Sequence, residues 1–123
     1  MLATSRLIAF IPTRDADRAS AFYETALGLR FVSDDAFALV FDANGTMLRI
    51  VRVGNFTPFP FTLLGWEVAD IEAAVADLAS QGIQFLRFPG MEQSTTGIWS
   101  APGGAKVAWF KDPDGNTLSI SQH

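Results

Sequence analysis

The sequence predicts an α+β fold of two βαβββ modules, with a curved mixed sheet around a concave groove and the helices on its convex side. Three observations predict it. Short apolar runs of strand character alternate with segments of helical spacing. The same order of elements occurs twice along the chain. Apolar residue types make up 49% of the 123 residues, enough to build a substantial core at this length.

The elements follow in order. Leu7–Ile11 is an apolar run stopped by Pro12 and reads as a buried strand. Thr13 or Asp15 can cap the helix that follows, in which Ala19, Phe22, Tyr23, Ala26 and Leu27 recur at helical spacing, and Gly28 closes it. Leu29–Val32 is strand-like, Asp34-Asp35 suits a turn, and Phe37–Phe41 is the next strand. Asn44-Gly45 is a strong hairpin signal, because this pair accepts positive φ at both central positions. Thr46–Val53 completes a first module over residues 1–53. Residues 54–60 hold Gly, Asn and two Pro and read as a linker.

The order then repeats over residues 61–123, and the two modules together form one domain. Phe61–Val68 is a strand, Asp70 opens a helix with Ile71, Val75 and Leu78 on one face, and Gly82 ends it. Ile83–Phe88 is expected as a strand and Pro89–Gly104 as mostly loop. Ala105–Phe110 and Thr117–Ser121 are strands joined by the turn Asp112-Pro113-Asp114-Gly115-Asn116.

Composition narrows the function. Nine basic and thirteen acidic residues give a net charge of −4, with no basic run, which argues against a nucleic-acid or anionic-membrane partner. The absence of cysteine excludes disulfides, thiolate metal sites and cysteine nucleophiles. No apolar run approaches the roughly 20 residues of a membrane span, and no signal core is evident, so a cytoplasmic protein is expected. Eleven Phe in so small a chain are more apolar surface than a monomer readily buries. A ligand cavity or a homodimer interface is therefore expected.

Two segments carry a family resemblance: Asp15…Ala21-Phe22-Tyr23…Leu27-Gly28-Leu29, and Ala108-Trp109-Phe110-Lys111-Asp112-Pro113-Asp114-Gly115-Asn116. Over nearly its whole length the chain resembles the vicinal oxygen chelate superfamily, the glyoxalase/bleomycin-resistance/dioxygenase proteins. The resemblance implies paired βαβββ modules around a cupped groove, commonly within a homodimer. In metal-bearing members it implies a divalent ion held by His, Glu or Gln from the first and last strands of each module. Such an ion chelates adjacent substrate oxygens or activates dioxygen.

Carried over position by position, those ligand slots fall on Ile8, Arg49, Leu63 and Ser119. None is a good ligand for a divalent cation, and Arg49 would repel one. The one histidine is the terminal His123, which also reads as a frayed end. A shifted site using Glu67 and another acid is the alternative left open; otherwise no metal and no other cofactor is expected. Neither a Ser–His–Asp arrangement nor a Gly-rich phosphate motif is present, so no catalytic residue is assigned.

Strand alternation then proposes which side chains face the groove. Ile8 brings Phe10, Leu63 brings Gly65 and Glu67, Ser119 brings Thr117 and Ser121, and Arg49 brings Met47 and Val51. The opposite set, from Leu7, Ala9 and Ile11 to Leu118 and Ile120, is almost purely apolar, as a helix-covered face requires. The candidate ligand-binding residues are Phe10, Arg49, Leu63, Glu67, Trp99 and Ser119. Arg49 could hold a carboxylate or phenolate; equally it could pair with Glu67 or Asp42, or reach solvent. Glu67 could act as an acid/base or be a strand-end carboxylate. Trp99, in the long loop, could stack on a ligand as a lid or simply anchor that loop.

These residues favour a binding protein for a small aromatic or drug-like molecule over an enzyme. The alternatives are a glyoxalase-like lyase, isomerase or dioxygenase with a rearranged site, and an accessory or regulatory subunit that binds protein.

Overall fold

The computed structural model describes all residues, Met1–His123. They form two compact units, Met1–Thr57 and Pro58–His123.

In the first unit a short 3-10 turn (Leu2–Thr4) leads to β1 (Ile8–Thr13), α1 (Ala16–Ser20), β2 (Arg30–Asp34), β3 (Ala38–Ala43) and β4 (Thr46–Arg52). The sheet order is β1-β4-β3-β2, with β1 parallel to β4 and the other pairs antiparallel. The parallel pair needs a crossover, and α1 with the strands after it supplies one. Asp15 caps α1, its side chain accepting from the Arg18 N–H at 3.2 Å. The helix does not stay α-helical to Gly28 as the spacing predicts. It widens into a π-helix over Ala21–Ala26, where the Leu27 N–H donates to the Phe22 carbonyl at 2.9 Å. Tyr23 in this wide turn is wholly buried with its ring beside Phe41, centroids 6.2 Å apart. Ile11, Phe41, Leu48 and Ile50 are buried with it and form the core of this unit.

The hairpin between β3 and β4 has the predicted geometry. Asn44 has φ 51° and Gly45 has φ 94°, so both central residues are left-handed, and the Gly45 N–H donates to Asp42 Oδ1 at 3.1 Å. Leu7 departs from its expected covered face. It lies just ahead of β1 and is 74% exposed, because no strand pairs with it there.

The second unit repeats the scheme with β5 (Thr62–Glu67), α2 (Ile71–Ser80), β6 (Trp99–Ser100), β7 (Lys106–Lys111) and β8 (Thr117–Gln122), ordered β5-β8-β7-β6. Asp70 caps α2 as Asp15 caps α1, accepting from the Ala73 N–H at 3.1 Å. Gln122 Oε1 on β8 takes the Ile71 N–H at 2.9 Å, tying the start of the helix to the last strand. Ile71 and Val75 of α2, with Ala108 and Phe110 of β7 and Leu118 and Ile120 of β8, make the core. Asp112 holds the closing turn together. Its Oδ1 accepts from the N–H groups of Asp114 and Asn116, and its Oδ2 from Asn116 Nδ2, each at 2.9 Å.

Ile83–Phe88 is not a strand, contrary to expectation. It touches β7 through a single bridge, Phe85 to Phe110, and through the Leu86 N–H on the Trp109 carbonyl at 2.8 Å. A side chain occupies its outer edge: Gln93 Nε2 donates to the Leu86 carbonyl and Gln93 Oε1 accepts from the Phe88 N–H. One amide thus satisfies the groups that a neighbouring strand would pair. Trp99–Ser100 is the short strand that takes the outer place on β7 instead, so Trp99 is a strand residue, not part of an irregular loop.

Gly45→Ala should destabilise the protein by about 1–2 kcal/mol, since an L side chain is strained at positive φ. Urea denaturation against the parent chain measures this.

Candidate functional site

The parallel strand pairs set the open face of each sheet. In the first unit Phe10 lies opposite Arg49, and Ile8 opposite Met47. These residues share the face away from Leu48 and Ile50. Phe10 is 62% exposed and Ile8 45%. Phe10 and Arg49, each assigned to the groove face by strand alternation, are therefore neighbours across the parallel pair.

Arg49 does not use any of the partners the sequence offers it. Its Nη2 lies 2.7 Å from Asp35 Oδ2, in the turn between β2 and β3. Asp42 instead faces Arg30 at 3.7 Å. Three residues further on, Arg52 holds Asp34 through two bonds of 2.7 Å each, a bidentate pair. Both pairs clamp a turn whose Ala36 has φ 74°. The Arg52 guanidinium, followed by the Ala36 N–H, holds the Asp34 carboxyl below its ordinary value of 3.8. Arg49, followed by the Ala38 N–H, does the same for Asp35. The positive charge of Arg49 is thus largely answered from within the chain.

In the second unit Gly65 lies opposite Ser119 and Glu67 opposite Ser121. An added Cβ at Gly65 would stand 2.6 Å from Ser119 Oγ, so any larger residue would make that hydroxyl turn away. Glu67 is exposed at the strand end. Leu63 occupies a bulge: Thr62 pairs with Thr117 and Leu64 with Leu118, leaving Leu63 without a register partner. Ser121 Oγ lies 3.0 Å from His123 Nε2 at the exposed chain end.

β7 completes this face with residues the sequence reading passed over. Trp109 lies opposite Ser119 and Lys111 opposite Thr117. The Trp109 ring meets Phe88 edge to face at 5.4 Å and Trp99 at 6.1 Å. Trp99 thereby joins Ser119 through Trp109. A pocket of about 390 Å³ opens here, lined among others by Phe61, Phe88, Trp109, Lys111 and Thr117. The signal was available: counting by twos from Thr117 and Ser119 across the hairpin puts Lys111 and Trp109 on the same face. The first unit has a counterpart of about 310 Å³ between Ile8, Val32, Val40 and Met47, with Arg6 and Arg30 at its edge.

Comparison with known proteins follows from this geometry. The family model for the Glyoxalase/Bleomycin resistance protein/Dioxygenase superfamily matches residues 6–120. The chain belongs to that superfamily. No curated protein matches it. Among solved structures, a superfamily member from Sphaerobacter thermophilus has 22% identity and a TM-score of 0.75, over 100% of both chains. A protein assigned to the glyoxalase family from Bacillus anthracis has 16% identity and a TM-score of 0.78, over 98% of this chain and 95% of that one. A lactoylglutathione lyase from Agrobacterium tumefaciens has 18% identity and a TM-score of 0.69, over 97% and 93%. At these identities the likeness is one of fold.

Superfamily membership raises the question of a divalent ion, and the residues at the four ligand positions do not fit one. Ile8 and Leu63 are hydrocarbon, Arg49 is a cation bound to Asp35, and Ser119 offers one neutral hydroxyl. No three His, Cys, Asp or Glu side chains come together elsewhere in the chain. No step is therefore derived through a metal.

Because Asp34 and Asp35 titrate below 3.8, the stability they contribute is complete above that value. It is lost as pH falls through their lowered folded values. The double variant Asp34→Asn, Asp35→Asn should lose less stability between pH 6 and pH 3 than the parent, as read by urea denaturation at each pH.

Proposed function

We propose that the chain binds a small organic molecule, aromatic or drug-like, without a metal ion. The aromatic group of Phe88, Trp109 and Trp99 on the open face of the second sheet carries the reading. Phe88 and Trp109, set edge to face, line a pocket of about 390 Å³ and offer both wall and floor to a planar ligand, with Trp99 tilted against Trp109. The few polar groups on that face, the Thr117 and Ser119 hydroxyls and the Lys111 ammonium, suit orientation of a ligand. The poor donor set at Ile8, Arg49, Leu63 and Ser119 supports a metal-free role. On the first sheet, Phe10 and Arg49 provide a second apolar surface with a charge at its edge.

The reading includes a second copy of the chain as partner. Leu7, Phe10, Phe37, Phe59 and Phe61 are all exposed, more large apolar side chains than scattered surface positions account for. Light scattering at micromolar concentration should give twice the chain mass of 13.3 kDa; a monomer would remove the dimer from the reading.

Binding of bicyclic aromatic probes should quench tryptophan fluorescence and survive a chelator unchanged. Trp109→Ala should weaken it about tenfold, the equivalent of about 1.4 kcal/mol. Binding that requires added metal, or that is indifferent to Trp109, would overturn the proposal.

A further inference from the structure

The pocket beside Trp109 has a chemical bias that the aromatic walls alone do not explain. Two of its lining residues, Arg87 and Lys111, are cations, and none is acidic, in a chain whose net charge is −4. The two cations differ. Arg87 is spent on its own loop: its guanidinium donates to the carbonyls of Ser94 at 2.7 Å and Gln93 at 3.3 Å. Those partners are neutral, so they anchor the side chain without cancelling its charge. Lys111 makes no ion pair or hydrogen bond through its side chain. The carboxylate next to it in sequence, Asp112, is buried and directs its oxygens to Asp114 and Asn116. Strand alternation also turns Asp112 away from the face that Lys111 shares with Trp109.

Lys111 therefore presents an ammonium at the rim of an aromatic pocket. Its cross-strand neighbour Thr117 lines the same wall. The first unit makes the contrast. At the position matching Lys111, opposite Met47 rather than Thr117, stands Asp42, and it faces Arg30. The first pocket thus has a carboxylate among its two arginines, where the second has cations alone.

We propose that the second pocket is selective for planar aromatic carboxylates. The ring lies against Trp109 and Phe88, and the carboxylate meets the Lys111 ammonium, with the Thr117 hydroxyl beside it. This rests on the proposed binding function and names its ligand class. An ammonium–carboxylate contact in a partly desolvated pocket discriminates by charge, where the aromatic walls discriminate only by shape.

The test compares three probes of one shape on the full chain: 2-naphthoate, 2-naphthamide and 2-naphthylmethylammonium, titrated by tryptophan fluorescence. The carboxylate should bind about tenfold more tightly than the amide, in line with a charge-assisted hydrogen bond, and the ammonium probe least tightly. Lys111→Gln should remove most of the carboxylate's advantage over the amide, leaving only what the charge of Arg87 supplies, and Lys111→Arg should keep the preference. Raising the ionic strength should shrink it. Lys111 is exposed, so these variants should fold, and the three-probe series on the parent chain reads selectivity without any variant. Equal affinity for all three probes, or a preference undiminished by Lys111→Gln, would overturn the carboxylate assignment to Lys111 and leave the binding function standing. No binding of any of the three would overturn both.

Discussion

The parallel pairing of each unit's first strand with its last is the constraint on which the rest depends. β1 lies beside β4 and β5 beside β8, and each pairing requires the helix and two further strands to be threaded between them. That threading puts a helix over one face of each sheet and leaves the other face open. It also sets which residues meet across the centre: Phe10 with Arg49 in one unit, Gly65 with Ser119 in the other. A slip of one residue would bury Arg49 under α1 and turn Leu48 outward. Burial of Leu48, Ile50, Leu118 and Ile120 is what holds the register against such a slip.

On this common frame the two units have taken different chemistry. The first has drawn its charges into ion pairs that serve its own turn, Arg49 with Asp35 and Arg52 with Asp34. The second has Trp109 in the place of Val40 and Lys111 in that of Asp42. Its outer edge is built from the loop before β6, with Gln93 and Arg87 binding that loop to residues 86–88. The superfamily fold is kept while the positions that hold metal elsewhere are given over to hydrocarbon and a paired arginine.

Much of this was readable in the sequence, for identifiable reasons. Local rules suffice for an Asp at a helix start, an Asn-Gly hairpin and strict apolar alternation, and Asp15, Asp70, Asn44-Gly45 and the β4 and β8 strands all followed them. The failures are non-local. Ile83–Phe88 has strand composition, but its edge is claimed by the Gln93 side chain, which no local pattern reveals. Leu63 keeps its alternation in sequence and loses it in space, because a bulge against β8 absorbs it. The π-helical turn at Ala21–Ala26, which holds the buried Tyr23, has residues that read as ordinary helix.

The candidate site divides in the same way. The sequence alone determined the family, the two-module order, the absence of good metal ligands at Ile8, Arg49, Leu63 and Ser119, and the open faces of the strands, because each follows from residue identity and a period of two. Only the tertiary structure decided what those side chains do. It paired Arg49 with Asp35, fourteen positions back along the chain. It gathered Phe88, Trp99 and Trp109 from three separate segments into one aromatic cluster, and it left Lys111 unpaired beside Phe88 and Trp109 in the pocket. Partner choice and pocket shape depend on which side chains meet across strands, and strand pairing brings together residues that the sequence keeps far apart.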